Sequence, residues 1–273
     1  MDLLKYFGIR ETYQLPEALM KCVLDKEALR ALCKAYKAEH QDLSVDVFRD
    51  KFQDEHADRT AFMQDFTPDC IGEILTYLCA EGIQSAADIC AGTGGLAIKI
   101  WNKNPRASFT CFELSERVLP ILLFNLAVRD MEAAVWHGDV LTREFTRIYR
   151  VHDSEITVSD PREASAPECD LVVSNPPYSL KWDPPASGDP RMPYGLPPKG
   201  AADYAFVQIG LSLLKKGGTG LFILPDGILS RGNSEGRIRE NMIDAGLFRT
   251  VIRLPSNLFR NTSIPVNVIE MQA

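Results

Sequence analysis

The sequence predicts an α/β fold: a mostly parallel sheet of seven strands with helices on both faces, preceded by a small helical segment at residues 1–62. Three observations carry this expectation. From Thr67 onward, apolar runs of strand length alternate with apolar or amphipathic runs of helix length. Turns bearing Gly and Pro separate them. The residues able to bind or react stand just after the apolar strands, where open α/β sheets hold their ligands.

Residues 16–40 read as one helix, with apolar positions three and four apart at Leu19, Val23, Leu29, Leu32 and Tyr36, and Pro16 near its start. A second helix is expected from Val45 to about Ala57. The helical segment ends at residue 62, and residues 63–273 form the main domain. Within that domain, CIGEILTYLCAEG is a helix opened by Thr67-Pro68-Asp69 and stopped at Gly82. SAADIC is a buried strand, GGLAIKIWNKN a helix and SFTCFEL a strand. SERVLPILLFNLAVRD is a helix with Pro120 in its first turns, and AAVWHGDV a short strand. CDLVVSNPPY is an apolar strand running into a sharp turn, and ADYAFVQIGLSLLKKGG a helix closed by two glycines. TGLFILPDG is a strand, EGRIRENMIDAG a helix, and FRTVIRLPS and PVNVIEM the last two strands. Residues 141–168 read as a polar insertion, and 179–200 as a Pro- and Gly-rich loop that shapes the site beside it.

Composition excludes several classes. With 273 residues, 45% hydrophobic and 25% charged, the chain is an ordinary globular one, neither disordered nor a disulfide scaffold. Its longest apolar runs, such as Ile121 to Phe124, are too short to span a bilayer. The N-terminus lacks the apolar core of a secretory signal. Seven cysteines never fall as C-x-x-C, so they are read as reduced structural thiols, which implies the cytoplasm. The four histidines, at 40, 56, 137 and 152, show no ligand spacing, and no metal is expected. The net charge is −7, yet residues 181–273 carry 11 basic against 8 acidic residues, which leaves a positive side for a polyanion.

Three loops carry chemistry. The first is Asp88-Ile-Cys-Ala91-Gly92-Thr93-Gly94-Gly95, where glycines at a strand-to-helix turn let backbone approach a ligand. Glu113 ends the next strand, 21 residues after Gly92, where a carboxylate can hold both hydroxyls of a ribose. Ala97 stands where the dinucleotide pattern wants its third glycine, so an adenosine ligand without a pyrophosphate fits better. Asp139, after the third strand, is either a turn residue or a partner for an adenine amine. The third loop is Ser174-Asn175-Pro176-Pro177-Tyr178. Its prolines fix the backbone and remove two donors while leaving carbonyl acceptors. Asn175 Oδ1 and the Pro176 carbonyl could accept both N–H groups of an exocyclic amine, and Tyr178 offers a face for stacking a base drawn out of its helix.

This set of motifs resembles the amino-group methyltransferases that use S-adenosylmethionine (SAM). More specifically it resembles the modification subunit of type I restriction systems, an N6-adenine DNA methylase. Gln64-Asp65-Phe66-Thr67-Pro68, Ala202 to Phe206, Leu224 to Gly227, and Leu254-Pro255…Leu258-Phe259…Thr262 with Ile264-Pro265 extend the likeness over residues 62–270. The resemblance implies a Rossmann-like SAM-dependent methyltransferase fold. It implies cofactor contacts at Gln64, Phe66, Thr67, Pro68, Asp88, Ala91, Gly92, Thr93, Gly94, Gly95, Glu113, Leu114, Asp139 and Val140. Phe66, Thr67 and Pro68 would line the methionine side, Thr93 to Gly95 the backbone-facing part, Glu113 the ribose and Asp139 the adenine. Asn175, Pro176, Pro177 and Tyr178 would hold the target adenine of DNA for direct attack on the methyl.

The family's members usually have a larger N-terminal helical domain and a C-terminal helical tail that meets a specificity subunit. The sequence here has a short helical segment and ends after the last strand, a departure that bears on partner assembly more than on chemistry. No region reads as a target-recognition domain, so a separate specificity subunit is expected as partner, and the resemblance adds a restriction subunit. Asn-Pro-Pro-Tyr also occurs in enzymes that methylate rRNA bases or protein glutamine. A non-catalytic remnant of a restriction system is the remaining alternative.

Overall fold

The computed structural model describes residues 1–46, 67–186, 188–259 and 264–273. The expected helix at Val45 to Ala57 lies almost wholly outside the described residues, as do Gln64, Phe66 and Thr262. At the N-terminus, α1 (Leu3–Phe7), α2 (Leu15–Val23) and α3 (Lys26–Glu39) are separate helices. The single helix expected over 16–40 is therefore two. Asp25 breaks it: its backbone is extended and its carboxylate accepts from Ala28 N at 2.8 Å, an N-cap that starts α3 in a new direction. The fold-back lets Leu19 of α2 and Leu29, Leu32 and Tyr36 of α3 all reach the same core. Each such buried leucine contributes about 2 kcal/mol from removal of apolar surface from water.

The strands are β1 (Ser85–Asp88), β2 (Ser108–Glu113), β3 (Ala133–Asp139), β4 (Glu144–His152), β5 (Glu155–Ser159), β6 (Cys169–Ser174), β7 (Leu214–Pro225), β8 (Phe248–Arg253) and β9 (Val266–Gln272). They form one sheet of nine strands in the order β5-β4-β3-β2-β1-β6-β7-β9-β8. The central run from β3 to β7 is parallel, and antiparallel strands extend it at both edges.

All seven expected strands are present. The other two, β4 and β5, correct the reading of residues 141–168 as an irregular insertion: they form a hairpin on β3. Asp153 and Ser154 turn it with φ of 47° and 52°, the left-handed pair that a two-residue hairpin needs. The segment reads as polar because Arg147 and Arg150 face water while Ile148, Tyr149 and Val151 are buried. A second correction concerns the two glycines after Lys216. The helix ends at Leu211, and Gly217 and Gly218 lie within β7, in a bulge between its pairings to Cys169 and Leu171.

The connecting helices are α4 (Asp69–Leu78), α5 (Gly95–Lys103), α6 (Leu119–Val128), α7 (Asp203–Leu211), α8 (Gly227–Ser230) and α9 (Asn233–Asp244). The sheet separates two cores, and its strands alternate between them. Ala86, Cys111, Val135 and Val173 join the core shared with α2 to α6. Ala87, Phe112, Trp136 and Val172 join the core shared with α7 to α9. Both faces are covered, so the central strands read as continuous apolar runs. Strand order reverses between β1 and β6, and the loops after these two neighbours therefore open side by side at one end of the sheet. Among the described residues, no helix is long and apolar enough to cross a membrane.

Candidate active site

The loop after β1 turns sharply into α5. Gly92 and Gly94 have φ of 55° and 91°, and Gly94 N donates to the Ala91 carbonyl at 2.8 Å. The left-handed conformation of Gly94 favours glycine, and a Cβ there would stand 2.9 Å from Leu122 Cδ1 and displace that methyl. Gly95, the first residue of α5, has open space where its Cβ would be. The neighbouring strands add two acids at the same edge. Asp88 ends β1, and Glu113 ends β2.

Glu113 is buried and uses both oxygens: Oε2 accepts from Gly92 N at 2.8 Å, and Oε1 from Ser115 N at 2.7 Å. Burial pushes its pKa up, and the Ser115, Gly92 and Leu114 amides pull it back. Asp88 is also buried. Its Oδ1 accepts from Cys90 N at 3.2 Å, while Oδ2 has no partner among the described residues. Burial pushes Asp88 up to about 7 against that amide, and the charge of Glu113 adds to the rise. Leu114 stands exposed beside Glu113 as an apolar flank. Asp139 ends β3 and accepts from Leu141 N at 2.8 Å, so it does close a turn. Val140 is buried beneath it.

The loop after β6 carries Asn175. Its Nδ2 donates to Thr67 Oγ1 at 3.0 Å, and its Oδ1 accepts from Tyr178 Oη at 2.7 Å. The amide oxygen is thereby aimed within the loop by contacts from two segments. Pro176 is buried and Pro177 half-buried. Tyr178 packs edge-on against Phe259, centroids 6.2 Å apart. Thr67 thus links the two halves of the motif set: Thr67 and Pro68 also line a cleft with Ser44, Asp46, Gly95 and Lys99.

Sequence reasoning placed Asp203 in a motif without giving it a role, and it missed the other residues that brace these loops. Beyond Tyr178, Ser179 adopts φ of 51°, uncommon for a residue with a side chain. Its amide donates to Asp203 Oδ1 at 3.0 Å. Arg231 completes the clamp, donating from Nη1 to Ser179 Oγ at 3.1 Å and from Nη2 to Asp203 Oδ2 at 2.6 Å. Glu235 accepts from Arg231 Nε at 3.1 Å. Gly227 makes room for this guanidinium, since a Cβ there would stand 3.2 Å from Nη1. Asp226 instead ties α8 to the far strands through Asn267 and Arg253.

The Pro-rich loop is bolted down as well. Arg191 pairs with Asp189 and donates to the Val140 and Leu141 carbonyls at 2.6 and 2.8 Å, so the loop fixes the turn that carries Asp139. On the glycine-turn side, Thr93 and Asn125 contact Asp46, which lies outside the loops singled out by motif. Asn125 was legible in one respect: a lone amide inside the apolar run LPILLFNLAV demands buried partners.

Comparison with known proteins agrees with this geometry. Residues 46–272 match the family model described as N-6 DNA Methylase. The chain is 26% identical to the type I restriction enzyme MpnII methylase subunit of Mycoplasma pneumoniae, over 99% of this chain and 52% of that protein. It is 35% identical to the MjaIX methylase subunit of Methanocaldococcus jannaschii, over 74% of this chain and 36% of that protein. Among solved structures, the type I restriction-modification methyltransferase subunit of Streptococcus thermophilus superposes with a TM-score of 0.65 at 28% identity, covering 76% of this chain and 44% of that one. The chain thus spans about half or less of the length of these relatives. With the family model covering most of its length and both loops at the switch point of a methyltransferase sheet, the chain belongs to the N-6 DNA methylase family.

Proposed function

We propose that the chain transfers a methyl group from SAM to the N6 amine of adenine in DNA, as the modification component of a type I-like restriction system. The observation that carries this reading is the adjacency of a glycine turn backed by Glu113 and an Asn-Pro-Pro-Tyr loop whose Asn175 is held by Thr67. DNA is the substrate in this reading, and a separate specificity subunit, with a restriction subunit, are its partners.

The residues present fit SAM. Gly95 leaves open space at the start of α5, and Ser44, Thr67, Pro68 and Lys99 wall a cleft beside it. Glu113 accepts the Gly92 amide on Oε2 and the Ser115 amide on Oε1, and a carboxylate's remaining acceptor capacity can serve a ribose hydroxyl. Leu114 offers an apolar flank for the adenine ring, and Asp139 with Val140 its far wall. Asp88, Glu113 and Asp139, at the ends of β1, β2 and β3, bring carboxyl groups to the side of the sheet that would receive a ligand carrying a sulfonium charge.

Bound SAM supplies the electrophilic methyl. The chain's own residues present the acceptor. Asn175 Oδ1 and the Pro176 carbonyl accept the two N–H groups of the amine. That leaves the nitrogen lone pair directed at the methyl and places two oxygens beside the positive charge that grows on nitrogen. Tyr178 now donates to the same Asn175 oxygen, so admission of a base requires that oxygen to accept a second hydrogen bond or the ring to swing toward a stacking position.

The test is calorimetry with SAM, using ATP as the comparison ligand, followed by nucleoside digestion of DNA treated with the chain and its specificity subunit. Saturable binding of SAM alone and the appearance of N6-methyladenine are expected. Methyl groups found only in RNA or protein would reassign the acceptor, and folded protein that ignores SAM would remove the cofactor.

A further inference from the structure

The glycine turn is held from outside by a buried polar network that the proposed chemistry does not use. Thr93 Oγ1 donates to Asp46 Oδ2 at 2.5 Å. Asn125 Nδ2 donates both to Asp46 Oδ1 at 3.1 Å and to the Thr93 carbonyl at 2.8 Å. Arg129 then holds the segment that delivers Asp46. Its Nε donates to the Leu43 carbonyl at 2.7 Å, Nη2 to the Val45 carbonyl at 2.9 Å, and Nη1 to the Asn125 carbonyl and Oδ1 at 2.8 and 3.0 Å.

All four side chains are buried: Asp46 is 6% exposed, Arg129 3%, Thr93 1% and Asn125 0%. A carboxylate and a guanidinium withdrawn from water are costly unless their hydrogen bonds are made. Here the bonds are made, and they converge on one object. Asp46 grips the side chain of Thr93, Asn125 grips its carbonyl, and Thr93 stands between the two left-handed glycines, Gly92 and Gly94. The same Asp46 lines the cleft with Ser44, Thr67 and Gly95. Core packing alone needs no charge at this place, and an apolar pair would fill it at lower desolvation cost.

We infer that Asp46 is a positioning residue for the cofactor: it locks Thr93, and through it the Gly92–Gly95 turn, in the conformation that receives SAM. The inference rests on the cofactor reading above for its ligand, but not for the bracing itself. Asp46 belongs to the N-terminal segment, so that segment takes part in the site. Arg129 acts one step further back, by fixing residues 43–45.

The test compares Asp46→Asn, Thr93→Val, the double variant and Thr93→Ser, with two readouts. The first is SAM affinity by calorimetry. The second, which needs no ligand, is amide hydrogen exchange at residues 93–95. Thr93→Val leaves the charge of Asp46 in place for Arg129, so it serves if Asp46→Asn fails to fold. The expected result is that Asp46→Asn and Thr93→Val each weaken SAM binding about tenfold, the size of one hydrogen bond to a charged group. The double variant is no weaker than the weaker single, and Thr93→Ser, which keeps the hydroxyl, restores most of the affinity. Exchange at 93–95 accelerates about tenfold in both single variants. Folded variants with wild-type exchange and wild-type affinity would overturn the inference, as would losses that multiply in the double. If the unaltered chain fails to bind SAM, the cofactor reading falls, and the exchange rates alone decide whether Asp46 braces the turn.

Discussion

The loops after β1 and β6 open side by side, yet they are held by different means. The β1 loop gets its shape from glycine: two residues in left-handed conformation, a short amide-to-carbonyl bond, and acids of β1 and β2 that accept backbone amides. Its charged groups lie deep and are carboxyls whose pKa values rise with burial. The β6 loop gets its shape from proline and from a salt bridge. Asp203, wholly buried, and Arg231, partly open to solvent, pin the left-handed Ser179 behind Tyr178. A loop that closes on a small ligand's backbone-facing side gains from having no side chains in the way. A loop that receives a base at an open mouth gains from rigid acceptors whose anchors stand behind it.

The comparison is broken most severely at Asn175. Asn175→Ala is expected to lower methyl transfer by about 10²–10³-fold, the size of losing one aligned polar group at a reacting centre. SAM affinity measured by calorimetry on the same protein should fall far less, by under about tenfold, because Asn175 reaches the cofactor cleft only through its single hydrogen bond to Thr67. Loss of SAM binding together with transfer would mean that the two loops are not separable.

Next comes the anchor. Asp203→Asn keeps one acceptor for the Ser179 amide but removes one of the two buried acids that face Arg231, leaving Glu235, and is expected to cost about 2 kcal/mol of stability by urea denaturation. Methyl transfer should fall about tenfold with SAM affinity retained. Unchanged transfer in a destabilised variant would show that the clamp serves the fold alone.

The acids of the other loop sharpen the contrast through pH. Asp88 has a folded-state pKa of about 7 against an ordinary 3.8. Between those values the unfolded chain gives up a proton that the folded chain keeps. This group's contribution is therefore intact below pH 3.8, declines as pH rises toward about 7, and is flat above. Asp88→Asn retains an oxygen for Cys90 N and removes the titration, so the variant should gain on the wild type in melting temperature from pH 4 to pH 8. A constant difference across that range would place the Asp88 pKa near normal.

The smallest effect is expected at the Tyr178 hydroxyl. Tyr178→Phe keeps the ring for stacking and frees Asn175 Oδ1 from its internal donor, so transfer should change by less than about threefold. Tyr178→Ala, measured alongside, should lose the ~1–3 kcal/mol of one base stack.

Much of this was legible in the chain itself. The seven strands that build the central sheet announced themselves as apolar runs because both faces are covered, and the loops that follow β1, β2, β3 and β6 announced themselves by Gly, Glu, Asp and Asn-Pro-Pro-Tyr. The hairpin of β4 and β5 did not, because Arg147 and Arg150 interrupt the buried Ile148, Tyr149 and Val151 of β4 and leave no apolar run of strand length. Nor did the split between α2 and α3, where one capping aspartate sits inside a continuous helical pattern. The braces were the least legible. Asp46, Asn125, Asp203 and Arg231 act across 24 to 79 residues of chain, on partners that no local pattern ties to them. Local sequence reports what a segment prefers, whereas a buried charge is intelligible only once its counterpart arrives.

The pairing of β1 with β6 has a consequence for how the chain is made. Ser85 and Asp170, which meet at the base of these strands, are 85 residues apart in sequence. A ribosome adding ~5–20 residues per second leaves one side of β1 uncovered for roughly 4–17 s before its neighbour emerges. During that interval an apolar strand with unsatisfied amides and carbonyls is open to the wrong partner. The centre of the finished sheet is thus the nascent chain's most vulnerable surface, and the interval is where a chaperone or a slower codon would matter most.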